Sequence, residues 1–146
     1  MAKAKDISLS LVRTIKTTPE KVFAAWTEPK TLKRWMSPSD STELAVAETD
    51  IRVGGKYRFV MREPDGREHK IGGVYKEIEK ARKLVFTWVW EGDAETETLV
   101  TIDLRKKGVG TELTLTHTKF SDEKIRDMHS EGWAGCIGRL EKLMAA

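Results

Sequence analysis

The side chains of this chain that could do chemistry are few: His69, His117, His129, the single Cys136 and five tryptophans. No two histidines fall at a metal-ligand spacing such as His-x-x-x-His, and no Cys or carboxylate completes such a set, so no metal or other cofactor is expected. The sequence has no Gly-x-Ser-x-Gly nucleophile elbow and no glycine loop placed to cradle a phosphate. Gly54-Gly55 and Gly72-Gly73 instead fall in or beside strands. No catalytic residue can be named from motifs. His117 shares a strand face with Leu113 and Leu115. It is either a strand-end histidine satisfied by a backbone partner or a polar handle in an apolar cavity. His129 stands one helical turn before Trp133 and could face that cavity or lie at its mouth. Tyr57 offers a third polar contact, while His69, beside a hairpin, reads as a surface residue. Cys136 lies on an apolar helix face and reads as a small core residue.

The aromatic residues carry more information. Strands supply Tyr57, Phe59, Phe86, Trp88 and Trp90, a helix pair supplies Trp35, and the last helix supplies Trp133. Core packing accounts for most of their convergence, and a ligand cavity is the added expectation. From the sheet and the helix pair its candidate lining is Trp35, Tyr57, Phe59, Trp88 and His117. From the closing helix it is Met128, His129, Trp133 and Ile137.

That closing helix, Ser121 to Ala146, must position half of the candidate site. Ser121 is a suitable N-cap, and Asp122 and Glu123 place negative charge at the positive end of the helix dipole. Ile125, Met128, Gly132, Cys136, Leu140 and Leu143 recur at helical spacing on one face. About twenty-four residues span roughly 36 Å, enough to cross a small domain. Gly132, Gly135 and Gly138 each cost about 1 kcal/mol relative to alanine, so they call for a reason. Close packing on the sheet is one; space left beside Trp133 is the other.

The remaining elements follow from alternation and turn chemistry. Ile7 to Ile15 alternates as a strand, with Arg13 in register with the apolar set. Arg13 either ends the strand and snorkels to water or points inward and needs a carboxylate. Thr18-Pro19-Glu20 starts a helix, and Pro29 breaks it and opens a second. Ser37 to Asp40 is a loop. Strands are expected at about Thr42–Ile51, Lys56–Arg62, Glu68–Glu79, Leu84–Trp90, Val100–Arg105 and Thr111–Thr118. Pro64-Asp65-Gly66, Glu91-Gly92-Asp93 and Lys106 to Gly110 join successive strands as turns. Gly72-Gly73 inside a strand points to a bend in the sheet. Six consecutive strands without intervening helices imply an antiparallel meander, and hence an α+β fold. About seven strands then curl around the C-terminal helix, with two short helices after the first strand.

At 146 residues, the chain is expected to form one domain, residues 1–146. Its 26 basic and 23 acidic residues give +3 without a block of like charge, which argues against a nucleic-acid partner. The apolar run Leu84–Trp90 is too short to span a bilayer, and residues 1–6 do not resemble a secretion signal. One cysteine excludes an internal disulfide and fits a reducing compartment, so a cytoplasmic protein is expected. Monomer and homodimer both remain open.

Several runs also resemble a known family. Pro19 to Pro29 with Leu32–Trp35, Val53-Gly-Gly-Lys-Tyr57, Pro64-Asp-Gly66 and Gly73 to Ile78 are similar to small bacterial homologues of the C-terminal domain of the heat-shock-protein-90 ATPase activator. So are Leu84 to Trp88, Gly110 to His117 and Gly132-Trp133. The resemblance implies a helix-grip fold of the START and Bet v 1-like (SRPBCC) superfamily, with a cavity between curved sheet and C-terminal helix. It transfers no catalytic residue. The chain departs from the family pattern at Glu79 to Lys83, a loop often rich in proline in its relatives.

Three functions are compatible with these features. The first is a non-enzymatic binder of a small hydrophobic ligand, apolar or aromatic. The second is a co-chaperone-like module whose stripe of Lys56, Arg58 and Arg62 meets an acidic protein partner. The third is an enzyme of cyclase or hydrolase type using His117 or His129 as general acid or base.

Overall fold

The computed structural model describes residues 7–92 and 97–145. Asp93 of the expected turn and residues 1–6 therefore lie outside the described residues. The elements are β1 (Ile7–Ile15), α1 (Pro19–Thr27), α2 (Pro29–Trp35), β2 (Glu43–Thr49), β3 (Lys56–Arg62) and β4 (Glu68–Glu79). They continue with β5 (Lys83–Trp90), β6 (Thr98–Lys107), β7 (Gly110–Phe120) and α3 (Glu123–Ala145). The seven strands form one sheet in the order β1-β7-β6-β5-β4-β3-β2, and every pair is antiparallel. This is the α+β helix-grip architecture.

Local chemistry sets the element ends. The Thr18 hydroxyl accepts from the amide of Lys21 at 3.3 Å, and Pro19 occupies the first turn of α1. Pro29 opens α2, and the indole of Trp35 donates to the Ala25 carbonyl at 3.0 Å, tying the two helices together. At α3 the cap differs from expectation: Asp122, not Ser121, accepts the Ile125 amide, at 2.8 Å. A carboxylate at that position adds charge complementarity to the hydrogen bond.

The sheet bends where its ladder is interrupted. Between β4 and β5 the register shifts after Tyr75, and a Cβ on Gly73 would stand 2.0 Å from the Thr87 carbonyl oxygen. Only glycine permits that approach. The Thr87 carbonyl is taken by the Tyr57 hydroxyl at 2.5 Å, and the Thr87 hydroxyl accepts the Val74 amide at 2.8 Å. The polar groups freed by the bend are thus satisfied inside the protein.

Inward residues of the strands meet Trp133, Cys136, Ile137 and Leu140 of α3 in one hydrophobic cluster. Burying each such large side chain is worth about 1.5–3 kcal/mol. Arg13 combines its two expected courses: its side chain stays partly exposed at the rim, and its guanidinium stands 3.7 Å from Glu141 of α3. All five tryptophans of the sequence belong to one contiguous series. Ring centroids are 4.7 Å apart for Trp35–Trp26, 6.0 Å for Trp26–Trp133, 5.0 Å for Trp133–Trp88 and 6.5 Å for Trp88–Trp90.

Candidate functional site

Curvature leaves α3 and the β3–β5 part of the sheet incompletely closed, and a cavity of about 250 Å³ lies between them. The sheet contributes Met61, Ile71, Trp88 and Trp90 to its wall. The helix contributes Met128, His129, Gly132, Trp133 and Cys136. Pro38 and Thr42 close one side from the loop after α2, and Glu63 and His69 add polar groups.

Of the expected lining, Trp88, Met128, His129 and Trp133 meet at this cavity. Trp35, Tyr57, Phe59, His117 and Ile137 lie outside it. Trp35 and Ile137 are fully buried core residues. Tyr57 and Phe59 border a much smaller void under Trp26 and Met36, at the end of the sheet covered by the two short helices. They share a strand with Met61 but sit nearer its other end. His69, read from sequence as a surface residue, is part of the cavity wall. Its Nε2 is 3.0 Å from a Glu63 oxygen that Arg67 also engages at 3.1 Å.

His117 is completely buried behind Trp133, and both its ring nitrogens are used. The indole N–H of Trp133 donates to Nδ1 at 3.0 Å, which makes Nδ1 the acceptor. Nε2 therefore carries the proton and donates to the Thr98 hydroxyl at 2.6 Å. Thr98 in turn donates to the Trp88 carbonyl at 3.1 Å. The partners are thus side chains and not the backbone group expected for a strand-end histidine. Burial, with a smaller contribution from nearby His129, lowers the His117 pKa to about 3. The imidazole is a neutral strut that fixes the orientation of Trp133.

His129 is held differently. Its Nδ1 donates to the carbonyl of Ile125 at 2.9 Å, leaving Nε2 as an acceptor. That atom is buried without a partner, as is the indole N–H of Trp88. Burial lowers the His129 pKa, opposed by the bond to Ile125. Phe120 also packs on this histidine, with centroids 5.0 Å apart. It turns inward because Lys119 adopts φ +71 and shifts the β1–β7 register, an irregularity the alternating sequence did not signal.

A family model of Activator of Hsp90 ATPase homolog 1-like proteins matches residues 16–145. The chain belongs to that family. Among solved structures, a Chromobacterium violaceum protein is 25% identical, with a TM-score of 0.85 over 95% of this chain and 97% of its own. An AHSA1 protein from Silicibacter pomeroyi is 24% identical, with a TM-score of 0.85 over 95% and 98% of the two chains. An AHSA1-like protein from Aeromonas hydrophila is 20% identical, with a TM-score of 0.80 over 93% and 90%. No curated protein matches the chain.

In this AHSA1-like chain the three helix glycines have different reasons. A Cβ on Gly135 would stand 2.1 Å from the Pro38 carbonyl oxygen, so this glycine admits the loop after α2. The same loop is clasped by an ion pair between Asp40 and Arg139. A Cβ on Gly132 or Gly138 would meet nothing within 4 Å, and Gly132 borders the cavity. Packing explains one glycine and open space accompanies the other two. The basic stripe on β3 is largely compensated, since Arg58 pairs with Glu91 and Arg62 with Glu68, each at 2.9 Å. Among the described residues no cluster of His, Cys, Asp or Glu could hold a metal, and no helix is long and apolar enough to cross a membrane.

Proposed function

We propose that this chain is a non-catalytic binder or carrier of a small apolar or aromatic molecule, held between β3–β5 and α3. The observation that carries the reading is a cavity of about 250 Å³ walled by indoles, thioethers and a few polar groups. That mixture is typical of small-molecule sites. Binding is favoured over proton transfer because a general base needs a free nitrogen within reach of its substrate: both nitrogens of His117 are engaged, and the free Nε2 of His129 is buried. The single buried cysteine fits a reducing compartment, and we place the protein in the cytoplasm.

Native mass spectrometry and tryptophan quenching against a panel of lipids and aromatic compounds test the reading. The wild-type protein is expected to retain at least one apolar compound. Gly132→Leu, which puts a side chain into the open space, is expected to abolish retention without loss of fold. A wild-type protein that retains none, or a variant that binds as well as wild type, would defeat the proposal.

A further inference from the structure

Among the described residues, Glu63 brings the one carboxylate to the cavity wall, and no lysine or arginine lines it. Its side chain is 28% exposed, so the charge sits at the mouth in contact with water. Both of its partners, His69 Nε2 at 3.0 Å and Arg67 at 3.1 Å, end on one oxygen, Oε2. Arg67 does not neutralise it fully, because the same guanidinium pairs with Asp65 at 2.7 Å. Two carboxylates thus share one cation. Arg62 and Lys70 of the same hairpin turn instead to Glu68, at 2.9 and 4.0 Å. Burial lowers the pKa of His129 and raises that of Cys136, so neither offsets the charge at neutral pH.

Aromatic rings continue from this carboxylate into the cavity. The His69 ring stands 6.3 Å from Trp90, Trp90 stands 6.5 Å from Trp88, and Trp88 stands 5.0 Å from Trp133. Trp88 and Trp90 lie at 90°, so they form a corner and not a stack. The face of an indole is negative and attracts a cation within about 6 Å. Carboxylate and indoles therefore act in the same sense, against an anion and for an ammonium group. Building on the binding role proposed above, we infer that the occupant is a hydrophobic amine, its ring body among Trp88, Met128 and Trp133 and its ammonium group beside Glu63 and Trp90. The volume of about 250 Å³ accommodates one or two fused rings.

Calorimetric titration with naphthylmethylamine, naphthylmethanol and naphthoate at pH 8, where free histidine is neutral, separates the cases. The three share a ring system and differ in the charge of the head group. The wild type is expected to bind the amine about tenfold or more tightly than naphthoate, with the alcohol between them. Glu63→Gln is expected to remove most of that preference while still binding the alcohol, which also shows that the variant is folded. Arg67→Ala, which strips the carboxylate of its guanidinium, is expected to widen the preference. Equal wild-type affinity for all three, or a preference for naphthoate, would overturn this inference and leave the apolar-binder reading intact. A preference undiminished in Glu63→Gln, or one that Arg67→Ala fails to widen, would overturn it as well. Failure of all three to bind the wild type would remove the inference together with the binding role beneath it.

Discussion

A buried imidazole that never charges is a liability in acid. The folded pKa of His117 is about 3, whereas an unfolded histidine titrates near 6.5, so the unfolded chain binds the proton first. Its contribution is fully present above about pH 6.5 and is lost as pH falls toward 3, with a slope of at most about 1.4 kcal/mol per pH unit. His129 is shifted in the same direction and adds to the effect. Urea unfolding measured across that range should show the decline, and His117→Phe should flatten it. At neutral pH the same variant should cost about 1–3 kcal/mol, because the Trp133 indole loses its acceptor. An unchanged slope would mean that the protons are taken up elsewhere. Cys136 gives a second prediction at this scale. Burial pushes its pKa up to about 12, opposed by Arg139, so the native thiol should resist alkylation at neutral pH and react only on unfolding.

The glycines of α3 allow a test of the element as a unit. Gly135→Ala should destabilise the protein by about 1–3 kcal/mol, because the helix or the Pro38 loop must move to admit a methyl group. Gly138→Ala meets no neighbour and should stabilise it by up to about 1 kcal/mol through helix propensity. Thermal melts of the two variants should therefore shift in opposite directions. The sequence could not separate these glycines, since helical spacing reports a face and not what stands opposite it. Strand alternation has the same blind spot. Alternation gives Tyr57, Phe59 and Met61 one face of β3, yet of the three only Met61 reaches the cavity, because height along a strand depends on sheet curvature. The strands, the helix pair and the closing helix were legible, because turn residues and periodicity are local signals. The wall residues Met61, Ile71 and His69 were not, since they meet α3 only through long-range geometry.

For the molecule as a whole, β2 to β7 form a meander of hairpins, while residues 7–15 pair with residues 111–120. Closing that long loop costs entropy before any contact rewards it, so β1 is expected to dock late in folding. Both Leu9 of β1 and Leu104 of β6 are buried, and truncating either to alanine should cost about 2–5 kcal/mol. Leu9→Ala should chiefly accelerate unfolding and Leu104→Ala should chiefly slow folding, a contrast readable from chevron plots. Equal partitioning in both would refute late docking. The contiguous tryptophans give the same body a collective optical property. Dipolar coupling falls steeply with distance, and neighbouring indoles here stand no farther apart than 6.5 Å. Light absorbed at Trp35 can migrate ring by ring to Trp90 at the cavity wall. A single acceptor dye lodged there would dim the whole array, so emission from this protein is read as that of one antenna and not of five independent lamps.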